Sequence, residues 1–448
     1  MSEGKDLTQG NLFKNMVRFC LPILLTNLLN SIYNIVDGIW VGRLVGDSGL
    51  AATTNCWPIM LLGYSFLAGI TVTISVLVAQ HFTSKDKEKI KEIVTPMYVI
   101  ALIIGIFTAI LLVSTKNFWF RIFKTPSQIV NDAKAYITIY LIGYIFDFLA
   151  FTMLEGIRAT GNSKAPLSIL VASELVNIVL DPIIINLGFG VKGAAIATAI
   201  SMFISFVLSY IYISKTELLK FRISKIKFSK DFLKTVCKLG IPMIFQQALT
   251  ITTIMVEVNV SNSMGIEGGS TYGISSKFQE VVWIIGNTIN SLMTVVVGQF
   301  IGKKEFNKIA DVMKNGLKIS LVPMSVTIIF LAFFSSYFAR IFTSNEQVIK
   351  MATGYMYFVG IGYSLVPVCQ LLYGFVLGTG NTRFSFIVST TASAVEIIVI
   401  LILNNTTNKP FMSLGIGISL WYITEIILFA IFYFSKSWLN KTQIEIKE

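Results

Sequence analysis

Twelve apolar runs dominate this chain of 448 residues. They fall at about 16–42, 51–79, 93–115, 134–155, 164–186, 192–214, 236–262, 270–299, 316–338, 352–376, 384–404 and 412–434. Each is near or above the roughly 20 residues that a helix needs to cross hydrocarbon. Polar breaks separate them. Residues 81–92 are charged, 215–238 are strongly basic, 303–318 are basic again, and 42–49 are short and glycine-rich. The first ten residues are polar, and the run after them is too long for the apolar part of a signal peptide. It is read as a retained first helix.

The runs repeat themselves. Leu21-Pro22 in the first matches Ile241-Pro242 in the seventh. Ala79-Gln80 matches Gly298-Gln299, and Ala159-Thr160-Gly161-Asn162-Ser163-Lys164 matches Gly378-Thr379-Gly380-Asn381-Thr382-Arg383. The offset stays between about 218 and 220 residues, in order, which marks an internal duplication. Each half holds an even number of spans, so both enter the membrane in the same direction, related by an axis along its normal. The predicted organisation is a first lobe at 1–214, a basic cytoplasmic linker at 215–235 and a second lobe at 236–448.

Composition agrees. The chain is 54% hydrophobic and only 13% charged, with a mean hydropathy of +0.72. A soluble domain carries about twice that share of charge. The net charge of +12 lies in short loops between spans, where lysine and arginine orient a membrane protein, and does not point to nucleic acid. With the N-terminus inside, the cytoplasmic side holds about 26 of the 36 basic residues and the opposite loops about nine. The loop at 116–134, with four basic residues on the outside, runs against this bias locally. Both termini are therefore expected in the cytoplasm of a cell that holds the chain in its inner or plasma membrane. Cys20, Cys56, Cys237 and Cys369 show no CxxC spacing and read as small buried residues. The single histidine, His81, falls in a polar break, which argues against a zinc site. There is no GxxxxGK[ST] for a nucleotide, no HExxH and no GxSxG, so neither direct ATP drive nor a membrane-embedded enzyme is expected.

Ionisable side chains inside the spans each cost roughly 2.5–3.5 kcal/mol on insertion scales, so each needs a reason. They are Asp37, Asp147, Glu155, Glu174, Asp181, Glu257, Lys277, Glu280, Glu396 and Glu425. Asn27, Asn30, Asn34 and Asp37 share one face of the first helix, and Glu174, Asn177 and Asp181 share one face of the fifth. Pro182 follows Asp181 and is expected to loosen the helix there, freeing carbonyls beside the acid. Carboxylate, amide and carbonyl make a hard oxygen environment suited to a proton or a sodium ion, not to a transition metal. In the second half Gln246, Thr250, Thr253 and Glu257 share a face, and Glu257 is the repeat partner of Asp37. Glu396 stands where the first half has Asn177, while Ile400 stands where it has Asp181. Lys277 and Glu280 lie one turn apart and can neutralise each other. The polar stripes also suit interhelical hydrogen bonding, and Glu155 and Glu425 suit water-facing helix ends. Asp37 and Asp181 are singled out as functional because no lysine or arginine neighbours them in sequence. Leaving water penalises the charged form of a carboxylate, so such a site can take up and release a proton as access alternates. Tyr136, Tyr140, Tyr144, Met153, Met255, Met293, Tyr357 and Tyr373 are candidates for a soft cavity that tolerates varied cations, against ordinary helix packing.

The stretch Asn34-Ile35-Val36-Asp37-Gly38-Ile39-Trp40-Val41-Gly42 resembles the first-helix signature of the multidrug and toxic compound extrusion (MATE) family. So do Gly156-Ile157-Arg158-Ala159-Thr160-Gly161-Asn162, Asn177-Ile178-Val179-Leu180-Asp181-Pro182 and Gly193-Ala194-Ala195-Ile196-Ala197-Thr198. The resemblance spans nearly the whole chain. It implies an all-α integral membrane protein, twelve helices in two pseudo-symmetric six-helix bundles forming a V. It implies an antiporter, not an enzyme, that exports small organic cations against protons or sodium, with no cofactor beyond the coupling ion and no metal beyond a transient sodium. A monomer in the bilayer is expected, with no nucleic-acid or nucleotide partner. The implied first-lobe cation site is Asp37, Asn177, Asp181 and Thr198, with Asn34 on the same helix face and Tyr136 or Tyr140 as the tyrosine beside it. One sodium-coupled branch carries an acid near the position of Thr250 and an aspartate in the tenth helix. Both are missing here, which leaves Glu257, Lys277, Glu280 and Glu396 as the second-lobe candidates. A flippase for lipid-linked sugars, from the same wider superfamily, is disfavoured because the intramembrane charges are mostly acidic.

Overall fold

The computed structural model describes residues 4–84, 88–123, 125–407 and 409–440. Among them run twelve α-helices and no strand. They are α1 (Leu12–Leu44), α2 (Asp47–Phe82), α3 (Lys89–Ile122), α4 (Val130–Ala159), α5 (Lys164–Ile184) and α6 (Val191–Ser214), then α7 (Lys230–Asn262), α8 (Gly265–Gly302), α9 (Ile309–Phe342), α10 (Glu346–Gly378), α11 (Thr382–Thr407) and α12 (Pro410–Phe434). All twelve are long and apolar enough to cross a membrane. Helix is the expected form because every backbone donor and acceptor must be satisfied within the segment once water is gone.

The helices overrun the apolar runs. α3 occupies Lys89–Ile122 where the run covered 93–115. Hydropathy marks contact with hydrocarbon, whereas the hydrogen-bond ladder continues into the polar flank until a cap ends it. His81 is accordingly in the last turn of α2, with Nδ1 2.8 Å from the Leu77 carbonyl, and not in a loop. Pro182 does not break α5. The helix continues to Ile184, and the irregularity comes afterwards as a π turn over Ile185–Phe189. The proline still removes one donor, so the Ile178 carbonyl loses its intrahelical partner. The chain leaves the turn through Gly188, at φ 93°, a backbone conformation that side chains with a Cβ rarely adopt.

The chain divides into two compact units. The first is built on Leu21–Ile244, the second on the chain from Phe245 onward together with Thr8–Cys20. The divisions fall inside α1 and α7, beside Pro22 and Pro242, so each of these helices begins in one unit and ends in the other. In the first unit α4 packs against α2, α3 and α6, and in the second α10 packs against α8, α9 and α12. The duplication is visible at side-chain scale. A Cβ on Gly143 of α4 would stand 2.7 Å from the Ala199 Cα of α6, and one on Gly362 of α10 would stand 3.0 Å from the Ser419 Cα of α12. Small residues let backbones approach where apolar lipid gives no hydrophobic drive for association. Large apolar side chains such as Phe107, Ile110, Phe333 and Ile341 lie outward, as a protein in lipid allows.

The polar segment after α6 is fastened to the first unit. Glu217 pairs with Arg222 and, at 3.2 Å, with Lys91 of α3, while Lys225 reaches Glu92 at 2.9 Å. The Tyr98 hydroxyl donates to the Leu219 carbonyl at 3.3 Å.

Candidate functional site

Within the first unit, α1, α2, α4, α5 and α6 bring their intramembrane polar groups to one place. The periodicity of the two stripes explains this. Asn30 and Asp37 are two turns apart on α1, and Glu174 and Asp181 are two turns apart on α5, so the stripes meet in register. Asn30 donates to Glu174 Oε1 at 3.2 Å. Two turns further on, Asp37 and Asp181 face each other within hydrogen-bonding reach. Asp181 and Asn177 are fully buried. With its amide oriented so that both ends find partners, Asn177 donates to Asp181 Oδ2 at 2.8 Å and accepts from the Thr198 backbone N–H at 3.1 Å, which ties α5 to α6. Thr198 Oγ1 donates to the Ala194 carbonyl at 3.0 Å.

The remaining oxygens define the chemistry. Asp37 Oδ1 and Asp181 Oδ1 are both buried and receive no hydrogen bond. Two carboxylate oxygens are both acceptors, so nothing holds them together unless a proton or a cation enters. No lysine or arginine is among the groups that act on either acid. Neutral hydroxyls surround the pair instead. Tyr33 lies within reach of the Thr198 hydroxyl and in the field of both aspartates, and Tyr136 lies beside Asp37 and Tyr33. The Tyr140 and Tyr64 hydroxyls are 2.7 Å apart, and Tyr64 donates to Asp147 Oδ2 at 3.4 Å. Tyr136 and Tyr140 both belong to the cluster.

Several candidates sit elsewhere. Asn34 turns back along its own helix and donates to the Asn30 carbonyl at 2.8 Å, and gives no bond to Asp37. Met153 is buried, and Met293 is fully buried where α8 meets α9 and α10, in contact range of Gly316 and Gly374, as a packing residue. Met255 and Tyr357 are exposed on α7 and α10. Tyr373 is half-buried beside Ser385 and Gln246. Tyr144 donates to the Gly63 carbonyl at 2.7 Å, a helix-packing bond. The sequence reading missed Tyr33 and Tyr64. Tyr33 could have been found, because it stands one turn before Asp37 on the same helix face. Tyr64 carried no signal beyond being polar in an apolar run.

In the second unit Glu257 and Glu396 face each other, from α7 and α11. Tyr272 donates to Glu257 Oε2 at 2.6 Å. Lys277 and Glu280 do not join them. They bond to each other at 3.1 Å and both are more than half exposed, because their one-turn spacing on α8 closes the pair locally. Glu155 pairs with Arg158 on its own helix. Glu425 is the clearest departure from expectation. It is 2% exposed and not at a wet helix end, with Ser389 donating to Oε1 at 2.5 Å and Cys369 to Oε2 at 3.1 Å. Among the described residues no group of His, Cys, Asp and Glu could hold a metal ion.

Known proteins resemble this chain over most of its length. The MatE family model matches residues 22–183 and 242–402, two stretches that begin 220 positions apart, the spacing of the repeat. A probable multidrug resistance protein of Bacillus subtilis, YoeA, is 24% identical over 436 residues, covering 95% of this chain and 94% of that protein. The multidrug export protein MepA of Staphylococcus haemolyticus is 25% identical over 408 residues, covering 89% and 88%. Among solved structures, a MOP superfamily transporter from Pyrococcus furiosus described by a reverse polarity of its binding pocket superposes with a TM-score of 0.91 at 24% identity, covering 99% of this chain and all of that one. An outward-facing multidrug resistance MATE family transporter gives 0.90 at 22% identity over the same shares. Because its family model covers both halves of the repeat, the chain belongs to the MatE family, a multi-pass membrane transporter and not an enzyme.

Proposed function

We propose that this protein is a secondary active multidrug exporter that expels small organic cations in exchange for protons, with Asp37 and Asp181 as the coupling site. One observation carries the reading: half-buried Asp37 and fully buried Asp181, from different helices, face each other with a buried orphaned oxygen each and no base nearby. A shared proton supplies the missing donor and cancels one charge. Without it, two like charges repel inside a medium that screens them poorly. Protonation therefore changes which packing of α1 against α5 is favoured, and a two-state element biased by a proton follows. A substrate cation competes for the same negative charge. The tyrosines around the pair add aromatic faces that attract cations. The names of YoeA and MepA support the multidrug reading, and the lysine and arginine bias supports a plasma-membrane protein with both termini in the cytoplasm. The lipid-linked sugar reading is weaker, since a pyrophosphate headgroup would meet acids.

The test is efflux from proteoliposomes under an imposed proton gradient or an imposed sodium gradient, one at a time, with cationic and anionic dyes. Cationic dyes should move under the proton gradient, and Asp37→Asn should sharply reduce that movement while the protein still inserts. Equal export of anionic dyes, or normal efflux in the variant, removes the proposal.

A further inference from the structure

The cluster around Asp37 has a counterpart in the second unit that extends beyond the matching acid. With the repeat offset of 219 to 220, Asp37 maps onto Glu257, Tyr136 onto Tyr355, Tyr144 onto Tyr363 and Asn177 onto Glu396. All four counterparts are buried, and they come together. In the first half the second acid is Asp181, which follows Asn177 by one turn. In the second half that position is Ile400, and the acid has moved one turn back to 396. Both acids there are glutamates, whose extra methylene extends their reach. Glu257 and Glu396 thus face each other although 396 is the repeat position of Asn177 and not of Asp181.

The surroundings are apolar apart from hydroxyls. Tyr272 of α8 bonds Glu257, and Tyr363 of α10 lies within reach of Ser275 and in the field of both glutamates. Tyr355 is 1% exposed and its hydroxyl has no partner, while the groups acting on it are Tyr363, Glu257, Tyr272 and Glu396. It is an unused polar atom in the same cluster. From α12, Glu425 acts on Glu396 at a distance, and both of its own oxygens are already bonded. No lysine or arginine is among the groups facing the pair. Glu396 is 3% exposed, and the side-chain hydrogen bond that reaches it is the one shared with Glu257.

We propose that Glu257 and Glu396 form a second proton site, so that each half of the molecule binds one proton that a cationic substrate displaces. This deepens the reading of Asp37 and Asp181 and rests on it. The proton bridges the two carboxylates, and the Tyr355 hydroxyl is the neutral donor for the oxygen left charged when it departs. Such a site makes the molecule bind two protons and not one.

The experiment counts protons. Full-length protein in detergent, in weak buffer with a pH-indicating dye, is saturated with ethidium, and the protons released per molecule are read. Wild type should release about two, and Glu396→Gln, Glu257→Gln and Asp37→Asn about one each, given that each acid pair holds one proton. Tyr355→Phe keeps both acids and should leave the count at about two while shifting the pH at which one of the two is released. Should neither glutamine variant be recovered folded, that shift decides the matter, and its absence overturns the proposal. A count of one in wild type that Glu396→Gln leaves unchanged also overturns it, as does ethidium binding that depends on sodium and releases no proton. If Asp37→Asn leaves the count unchanged while Glu396→Gln lowers it, the reading of the first site fails and this one stands.

Discussion

Asp181→Asn separates the charge of the coupling site from its shape. The side chains are isosteric, and Asn177 can still donate to an oxygen at the position it reaches at 2.8 Å. The new amide can turn its N–H toward Asp37 Oδ1, the orphaned atom. It thereby supplies permanently the hydrogen bond that a proton supplies on demand. Folding should hardly change, since one neutral hydrogen bond is worth about 1 kcal/mol net and is gained here, not lost. Coupling through this pair should vanish, because it can no longer discharge. One pH unit is worth about 1.4 kcal/mol per proton, so wild type should hold at least about a tenfold gradient of ethidium per unit. In proteoliposomes with the membrane potential clamped, the variant should hold a clearly smaller one, carried by the Glu257 and Glu396 pair alone. Asp181→Glu, which restores an acid, should recover part of the gradient. The reasoning fails if Asp181→Asn sustains the wild-type ratio, or if it unfolds in detergent at temperatures where wild type does not.

Other outcomes follow from packing and surface charge. Gly362→Val should lower the melting temperature in detergent, at a cost of about 1–3 kcal/mol, because its Cβ meets the Ser419 Cα at 3.0 Å. Gly38→Ala, with nothing within 4 Å of the new Cβ, should melt like wild type. Glu217 is held below its ordinary 4.5, by Arg222 first and then by Lys91. A carboxyl lowered in this way contributes its stability above the free value and loses it as the pH falls through the bound value. A spin label at Lys220 should therefore be equally immobile across neutral pH and loosen only in acid below about 4.5. Glu217→Gln should loosen it at neutral pH.

Much of this was legible in the sequence for a physical reason. Hydrocarbon excludes every backbone arrangement but a few, so apolar length alone located the twelve helices. The one-face spacing of Asn30 with Asp37 and of Glu174 with Asp181 already implied a pair of complementary stripes, and the structure joins them. What stayed hidden depended on contacts between distant residues. Glu425 looked like a helix-end acid because its donors, Ser389 and Cys369, stand 36 and 56 positions away. Lys277 and Glu280 looked like part of a site because sequence shows their spacing and not their exposure. Tyr64 reaches Asp147 from 83 positions away, a pairing that no local pattern announces.

The carboxylates inside the spans fall into three kinds, and the kinds separate scaffold from engine. Glu155 and Glu280 each bond a base on their own helix, one turn away. Such a pair is complete without a proton. Glu174, Asp147 and Glu425 accept from neutral donors, Asn30, Tyr64, and Ser389 with Cys369. These too are satisfied as they stand, and they tie α1 to α5, α2 to α4, and α12 to α11 and α10. Only Asp37 with Asp181 and Glu257 with Glu396 set acid against acid. For them alone the stable arrangement depends on something arriving from outside, because two acceptors have no attraction of their own. Asn177 and Tyr272 each bond one oxygen of these pairs, but the contact of acid with acid is left to a proton, and that contact is what a gradient can change. The two facing pairs, one in each half of the repeat, are therefore where the free energy of a proton gradient can enter this fold.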